Sequence, residues 1–178
     1  MVDAARPRSD WPDGIKHDHV RPVAGWRRHA SPLALVVFGA VIALGLTGVL
    51  GHERTWTAAA QGTTLTVEAP ETIRNGEFFE MRISATSDGP LSQLAVGIDR
   101  ALLADMTVNT MIPAATDEAS AGDEYRFTFA PLDAGDTFLF KVDVQVNPDI
   151  FGGNHGTITL YDGEERLVAT TIEIRVLP

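Results

Sequence analysis

The chain contains no cysteine among its 178 residues. This absence excludes disulfide bonds, thiolate metal sites and cysteine nucleophiles, because all of them depend on the cysteine sulfur. Any fold must therefore be held together by apolar packing and hydrogen bonds. The length suits one modest domain together with an additional segment.

Basic residues are also scarce, and they are unevenly placed. The chain has 14 Lys and Arg against 24 Asp and Glu, which gives a net charge of −10. Residues 1–29 contain six basic and four acidic residues, whereas the chain after Gly51 contains eight basic and twenty acidic residues. Phosphate groups repel such an acidic region, so nucleic acid is not an expected partner.

Residues 31–51, SPLALVVFGAVIALGLTGVLG, lack charged, amide and histidine side chains. As a helix this segment would be about 30 Å long, the thickness of a bilayer core, so the sequence predicts one transmembrane α-helix. Arg27 and Arg28 precede it, which favours an N-terminus in the cytoplasm. The expected location is the cytoplasmic (inner) membrane, with an extracytoplasmic, periplasmic C-terminal domain. A signal peptide cleaved near Ala60 is the alternative.

The segments around the predicted span have no apolar periodicity. Residues 1–30 contain scattered prolines and charges and are predicted to be a disordered cytoplasmic tail. Residues 52–62 are predicted to be a juxtamembrane linker.

Small residues recur every fourth position within the predicted span. They are Gly39, Ala43, Thr47 and Gly51. Such a stripe allows another helix to approach closely, so it predicts self-association or packing against the helix of a membrane protein.

From Thr63 onward, apolar and polar residues alternate with a period of two, which predicts β-strands. The clearest example is 138–146, FLFKVDVQV, where five apolar residues share one face. About eight such segments occur, separated by turn signals such as Asn75-Gly76 and Asp162-Gly163. Residues 63–178 are therefore predicted to form an all-β, immunoglobulin-like antiparallel β-sandwich.

The stretch YRFTFAPLDAGDTFLFKVDVQV, residues 125–146, resembles bacterial immunoglobulin-like modules of the CARDB and fibronectin-III-like kind. Leu132 and Gly135 match the Leu-x-x-Gly corner of those modules. The resemblance implies a sandwich that serves as a spacer or binding surface. The layout is also similar to CtaG and YtkA-like oxidase-assembly proteins, although the missing cysteine excludes copper delivery through the CtaG motif.

Catalytic residues are few in this part of the chain. A serine triad needs a histidine held beside its nucleophile, and only His52 and His155 follow the apolar segment. Glycines surround His155, so its loop is not expected to be rigid. The sequence predicts no enzyme activity.

A copper site is the alternative to a site without metal, because the sulfur of methionine is a soft ligand. Met81, Met106 and Met111 could join His155 as ligands for Cu(I). The alternation places the first two methionines in the core and leaves Met111 facing outward. The acidic pairs are expected to shape turns rather than bind Ca²⁺. No cofactor or metal is predicted.

The loop of residues 147–156 is the leading candidate for a binding surface. Ile150 and Phe151 place apolar groups among glycines there, close to His155. Ile150, Phe151 and His155 could contact another protein, or Ile150 and Phe151 could fold back and cap the sandwich. The second candidate is the polar connection of residues 113–123, PAATDEASAGD.

Together these observations predict a non-enzymatic single-pass protein. Its immunoglobulin-like domain would be an accessory subunit, assembly factor or interaction module for another membrane or envelope protein. The alternative is a periplasmic carrier of copper or a small ligand.

Overall fold

The computed structural model describes residues 25–47, 51–147 and 152–177. The chain divides into two compact units, Met1–Thr47 and Gly48–Pro178. The first unit contains one described helix, and the second contains the β-strands.

The helix α1 extends over Gly25–Leu46. Among the described residues of the long uncharged segment, 31–46 are helical, whereas Thr47 and Gly51 are not. Within the part of the chain that is described, no helix is both long enough and apolar enough to cross a membrane. The predicted transmembrane helix is therefore wrong. This finding also contradicts the predicted inner-membrane location with a cytoplasmic N-terminus.

The second unit contains eleven described strands and one short helix. They are β1 (Glu53–Ala60), β2 (Thr63–Pro70), β3 (Thr72–Arg74), β4 (Phe78–Ser87), β5 (Leu94–Asp99), α2 (Arg100–Leu103), β6 (Met106–Ile112), β7 (Asp117–Ala121), β8 (Glu124–Thr128), β9 (Thr137–Val146), β10 (Asn154–Asp162) and β11 (Glu165–Leu177).

These strands form two sheets. The five-stranded sheet has the order β1-β2-β4-β9-β6, and the six-stranded sheet has the order β3-β11-β10-β5-β8-β7. Neighbouring strands are antiparallel except β3 and β11, which are parallel. The predicted two-sheet β-sandwich is confirmed. The three strands beyond the predicted eight are β1, β3 and β7, and β1 lies within the segment predicted to be a linker.

The core lies between the sheets and follows the alternation of the sequence. In β9, Phe140, Val142, Val144 and Val146 are fully buried, while the residues between them face outward. The ring of Phe140 contacts those of Phe127 and Phe129 from the other sheet, with centroids 5.7 and 4.8 Å apart. Burial of this apolar surface is the main stabilising contribution in a fold without disulfides.

The Leu-x-x-Gly corner connects the two sheets between β8 and β9. Leu132 is buried and exchanges two backbone hydrogen bonds with Leu91, at 2.8 and 3.0 Å. The backbone φ of Gly135 is +81°, a value that glycine adopts without steric cost, and its amide donates to Ser87 O at 2.8 Å. The corner therefore fixes where the chain passes from one sheet to the other.

Candidate functional site

One lateral side of the sandwich is sealed by backbone hydrogen bonds. The amide of Glu71 donates to His52 O beside β1, and the Glu71 carbonyl accepts from the amide of Arg175 in β11, at 3.2 and 2.9 Å. The Glu71 carboxylate also pairs with Arg54 at 2.8 Å. A single residue thus joins the first strand of one sheet to the last strand of the other. We call this side the sealed edge, after these bonds; a hollow of about 440 Å³, lined by residues that include Glu53, Ile73 and Phe79, opens beside it.

The opposite side is open. Its outermost strands, β6 and β7, belong to different sheets and do not pair with each other in the described structure. A cavity of about 410 Å³ separates them, and we call it the open cleft. Its lining residues come from α2, β6, β7 and β8: Leu103, Met106, Val108, Met111, Glu118, Ala119, Tyr125 and Phe127.

A β-bulge in β6 determines which side chains enter the open cleft. The register against β9 shifts between Val108 and Thr110, so Asn109 has no partner in the pairing. One extra residue reverses the alternation that follows it. Met111 consequently packs against the core opposite Val142, beside Met106, and the prediction that it faces outward is wrong.

Strand β8 forms the floor of the cleft and α2 closes one end. Phe127 is buried at the floor, and Leu103 of α2 is buried at the end. The side-chain amide of Asn154 donates to the carbonyls of Leu102 and Ala104, which holds this end of the helix against β10. The cleft is therefore a preformed feature of the packed domain.

The mouth of the cleft carries polar groups. The Arg100 guanidinium lies 5.3 Å from the ring of Tyr125 and hydrogen-bonds the hydroxyl of Ser120 on β7. Among the described lining residues, Glu118 alone is charged. An apolar interior with a carboxylate at its wall suits an apolar group that has a cation close by.

The outer face of the six-stranded sheet carries a compact polar cluster. Arg126 donates to Glu124 at 2.9 Å and to Glu164 at 2.8 Å, and its guanidinium lies 4.2 Å from the ring centre of Tyr161. The Tyr161 hydroxyl donates to Glu124 at 3.1 Å. Gly97 leaves room for this arrangement, because a Cβ there would lie 2.5 Å from a Glu124 oxygen.

This cluster alters the pKa of two of its members. Burial raises the pKa of Tyr161, and its hydrogen bond to Glu124 raises the pKa further. The pKa of Arg126 is also raised: its burial acts to lower the pKa, but the hydrogen bonds to Glu124 and Glu164 together outweigh this effect. Both groups therefore keep their protons at neutral pH, and the cluster links β8 to β10.

The outer face of the five-stranded sheet carries a second ion network. Arg82 pairs with Glu80 at 2.6 Å and lies within 4 Å of Glu53 and Glu68, while Lys141 approaches Glu80 at 3.3 Å. The hydrogen bond from Arg82 lowers the pKa of Glu80, although desolvation acts against it. These charges cross-link neighbouring strands on a surface that faces water.

The binding loop predicted from the sequence is only partly described. His155 lies exposed on the outer face of the six-stranded sheet, opposite Glu173. Ile150 and Phe151 lie outside the described residues, so their role as a contact surface stays a prediction. The second candidate, 113–123, contains β7 and contributes Glu118 and Ala119 to the open cleft.

The predicted helix-packing stripe is divided by the end of α1. Gly39 and Ala43 lie within the helix, whereas Thr47 follows it and Gly51 lies beyond it. Thr47 still bonds to the helix, because its amide donates to Ala43 O at 3.1 Å. Packing of this stripe against another helix stays a prediction.

The four residues of the copper hypothesis are not brought together. Met81 is buried in the core, Met106 and Met111 line the open cleft, and His155 lies on the outer face. Within residues 25–47, 51–147 and 152–177, no group of three His, Asp or Glu side chains is arranged to hold a metal ion.

The comparisons with known proteins find likeness in structure only. No protein-family model matches the sequence, and no curated protein matches it either. The structure is similar to a non-cellulosomal cohesin from Archaeoglobus fulgidus, at 14% identity and a TM-score of 0.39, over 62% of this chain and 88% of that chain.

Two further solved structures align with this chain at similar identity and TM-score. CaCohA2 from Clostridium acetobutylicum aligns at 14% identity and a TM-score of 0.42, over 66% of this chain and 92% of that one. The chitin-binding domain of a Pyrococcus furiosus chitinase aligns at 17% identity and a TM-score of 0.37, over 65% and 96%. The sandwich assignment itself depends on the strand order of the two sheets.

Proposed function

We propose that the β domain is a non-enzymatic interaction module that binds another protein through the open cleft, as an accessory subunit or assembly factor. The observation that carries this proposal is the cavity between β6 and β7, whose lining side chains are mainly apolar. The side chains of Met106, Val108 and Met111 are only partly buried there, although they pack against the core. An apolar group from a partner would complete their burial and gain roughly 25 cal/mol for each Å² removed from water.

The chemistry of the lining favours binding over catalysis. Methionine side chains are flexible and polarisable, so they adapt to apolar groups of different shapes. The described groups with clearly shifted pKa values lie on the outer faces of the sheets, where they pair with oppositely charged or hydrogen-bonding neighbours. The cleft offers apolar surface and one carboxylate, which suits recognition of a protein segment.

The test compares two faces of the same strand. Val108→Lys and Met111→Lys place a charge in the cleft, whereas the control Thr110→Lys places it on the exposed outer face. Each full-length variant is used to isolate bound proteins from the source cells, and the partner found is then titrated in purified form. We expect the cleft variants to bind at least about tenfold more weakly than wild type, a loss of roughly 1.4 kcal/mol.

Thermal unfolding of each variant shows whether the fold is retained. The control should hold the same partner as the wild-type chain. Equal binding by the cleft variants and the control would refute the proposal, as would a wild-type chain that retains no protein.

A further inference from the structure

Strand β7 is an exposed sheet edge whose one protective feature is the inward-facing charge of Glu118. It is the last strand of its sheet, and among the described strands only β8 pairs with it. All five of its residues, DEASA, pair in register without a bulge, and none is proline or lysine. Edges are usually blunted by such features, because the unpaired amides and carbonyls can accept another strand. The neighbouring edge, β6, does carry a bulge at Asn109.

Strand β7 separates two hollows. Glu118, which pairs with Phe127, lines the open cleft on the inner side. Asp117 and Ala121 line a hollow of about 260 Å³ on the outer side, and Ala119 contributes to both cavities. Side chains of a strand added beside β7 would alternate between the two sides, so they would enter the cleft and the outer hollow in turn.

The two hollows select different side chains. The cleft is lined mainly by leucine, methionine, valine and aromatic side chains, which favour an apolar group. The outer hollow has a small-residue floor with Asp117 and Glu164 beside it, and the Arg126 within it is already paired with Glu164. Its remaining carboxylate charge favours a basic group. A second copy of β7 would instead bring its own Asp117 and Glu118, and like charges repel.

We propose that β7 pairs with an extended segment of the partner in which apolar and basic residues alternate, and that this segment becomes the seventh strand of its sheet. The proposal rests on the binding role of the open cleft described above. The apolar side chains enter the cleft, and the basic side chains face Asp117 and Glu164. The backbone hydrogen bonds give affinity, and the two hollows give the register.

The probe is a capped heptapeptide with the sequence KVKVKVK, added to the full-length chain. Its controls are the block sequence KKKKVVV, which has the same charge without the alternation, and EVEVEVE, which has the alternation with the opposite charge. Binding is measured by calorimetry, and hydrogen exchange reports on the β7 amides. We expect KVKVKVK to slow exchange in β7, and we expect at least about tenfold weaker binding of both controls.

Matched variants identify the side chains. Asp117→Asn, which removes the carboxylate of the hollow that is not paired with Arg126, should weaken binding of KVKVKVK several-fold, whereas Glu165→Gln, at an exposed position outside the hollow, should not. Val108→Lys should abolish binding, and Thr110→Lys should leave it unchanged.

Three results would overturn strand addition. They are no binding of KVKVKVK, binding without protection of β7, and equal binding of the block peptide. If one of these occurs while the natural partner still depends on Val108 and Met111, the cleft keeps its function and only the strand addition is wrong. If the natural partner does not depend on these residues, both proposals are wrong.

Discussion

Both lateral sides of the sandwich consist of edge strands, but in the described structure the two sheets are joined by hydrogen bonds on one side and not on the other. At the sealed edge, Glu71 bonds through its backbone to a residue beside β1 and to β11, and the parallel strand β3 pairs with β11. At the open side, β6 and β7 leave a cavity of about 410 Å³ between them. A continuous core is therefore compatible with one side that gives stability and another that keeps apolar surface accessible. The following predictions test this division.

The largest expected difference is in stability. Ile73 of β3 is 6% exposed, so Ile73→Asp buries a charge without a partner and should cost about 3 kcal/mol or more. Val108 at the open cleft is only partly buried, so Val108→Asp should cost about 1 kcal/mol or less. Urea unfolding of the two variants measures both values. Equal losses would show that the two sides do not differ in this way.

The second prediction concerns local opening of the native chain. The Arg175 amide bonds to Glu71 between the sheets, whereas alternate amides of β7 face no other described strand. We expect the Arg175 amide to exchange with deuterium at least about a hundredfold more slowly than the outward amides of β7. Hydrogen exchange followed by NMR resolves these sites. Comparable protection at both sites would contradict an open edge at β7.

The third prediction tests the polar cluster of Glu124, Arg126 and Tyr161 on the outer face of the six-stranded sheet. A Cβ at position 97 would lie 2.5 Å from a Glu124 oxygen and 3.0 Å from Tyr161, so Gly97→Ala should displace Glu124 at a cost of about 1 kcal/mol. Gly89→Ala is the matched control, because among the described residues no atom other than those of its chain neighbours lies within 4 Å of an added Cβ. Thermal unfolding should separate the two variants. Similar behaviour would show that Gly97 is not required for this packing.

The smallest expected effect is a change of stability with pH that depends on Tyr161 of the same cluster. The pKa of Tyr161 is raised above its usual value of 10.0, so the folded chain holds this proton more tightly than the unfolded chain does. Its contribution to stability is complete below about pH 10 and is lost as the pH rises through the folded pKa. In Tyr125→Phe, the phenolate absorbance of Tyr161 should titrate above pH 10. A midpoint at or below the usual value would contradict the buried hydrogen bond to Glu124.

The alternating pattern predicts the inner strands and the edge strand β6, but it fails at the other three sheet edges. Strand β9 is buried on one face along its length, so the five apolar residues of that face are visible in the sequence. The three strands that the pattern does not reveal, β1, β3 and β7, all lie at the ends of their sheets. An edge strand such as DEASA buries little apolar surface, so its sequence carries no alternation to read.

The candidate site is difficult to predict for a related reason. The sequence identifies 113–123 as a polar connection and a second candidate surface, but no pattern places it beside Met106 and Met111. The bulge at Asn109 brings Met111 to the inner side, and it appears only in the pairing of β6 with β9. The membrane-span prediction fails because it used the length of an uncharged segment, whereas the described helix ends at Leu46.

Glu71 also determines how the domain can be attached to other sequences. Its backbone bonds to His52, just before the first strand, and to Arg175, near the end of the final strand. Both attachment points of the β domain therefore lie together, on the side away from β6 and β7. Reporter tags or tethers for measuring binding are best placed there.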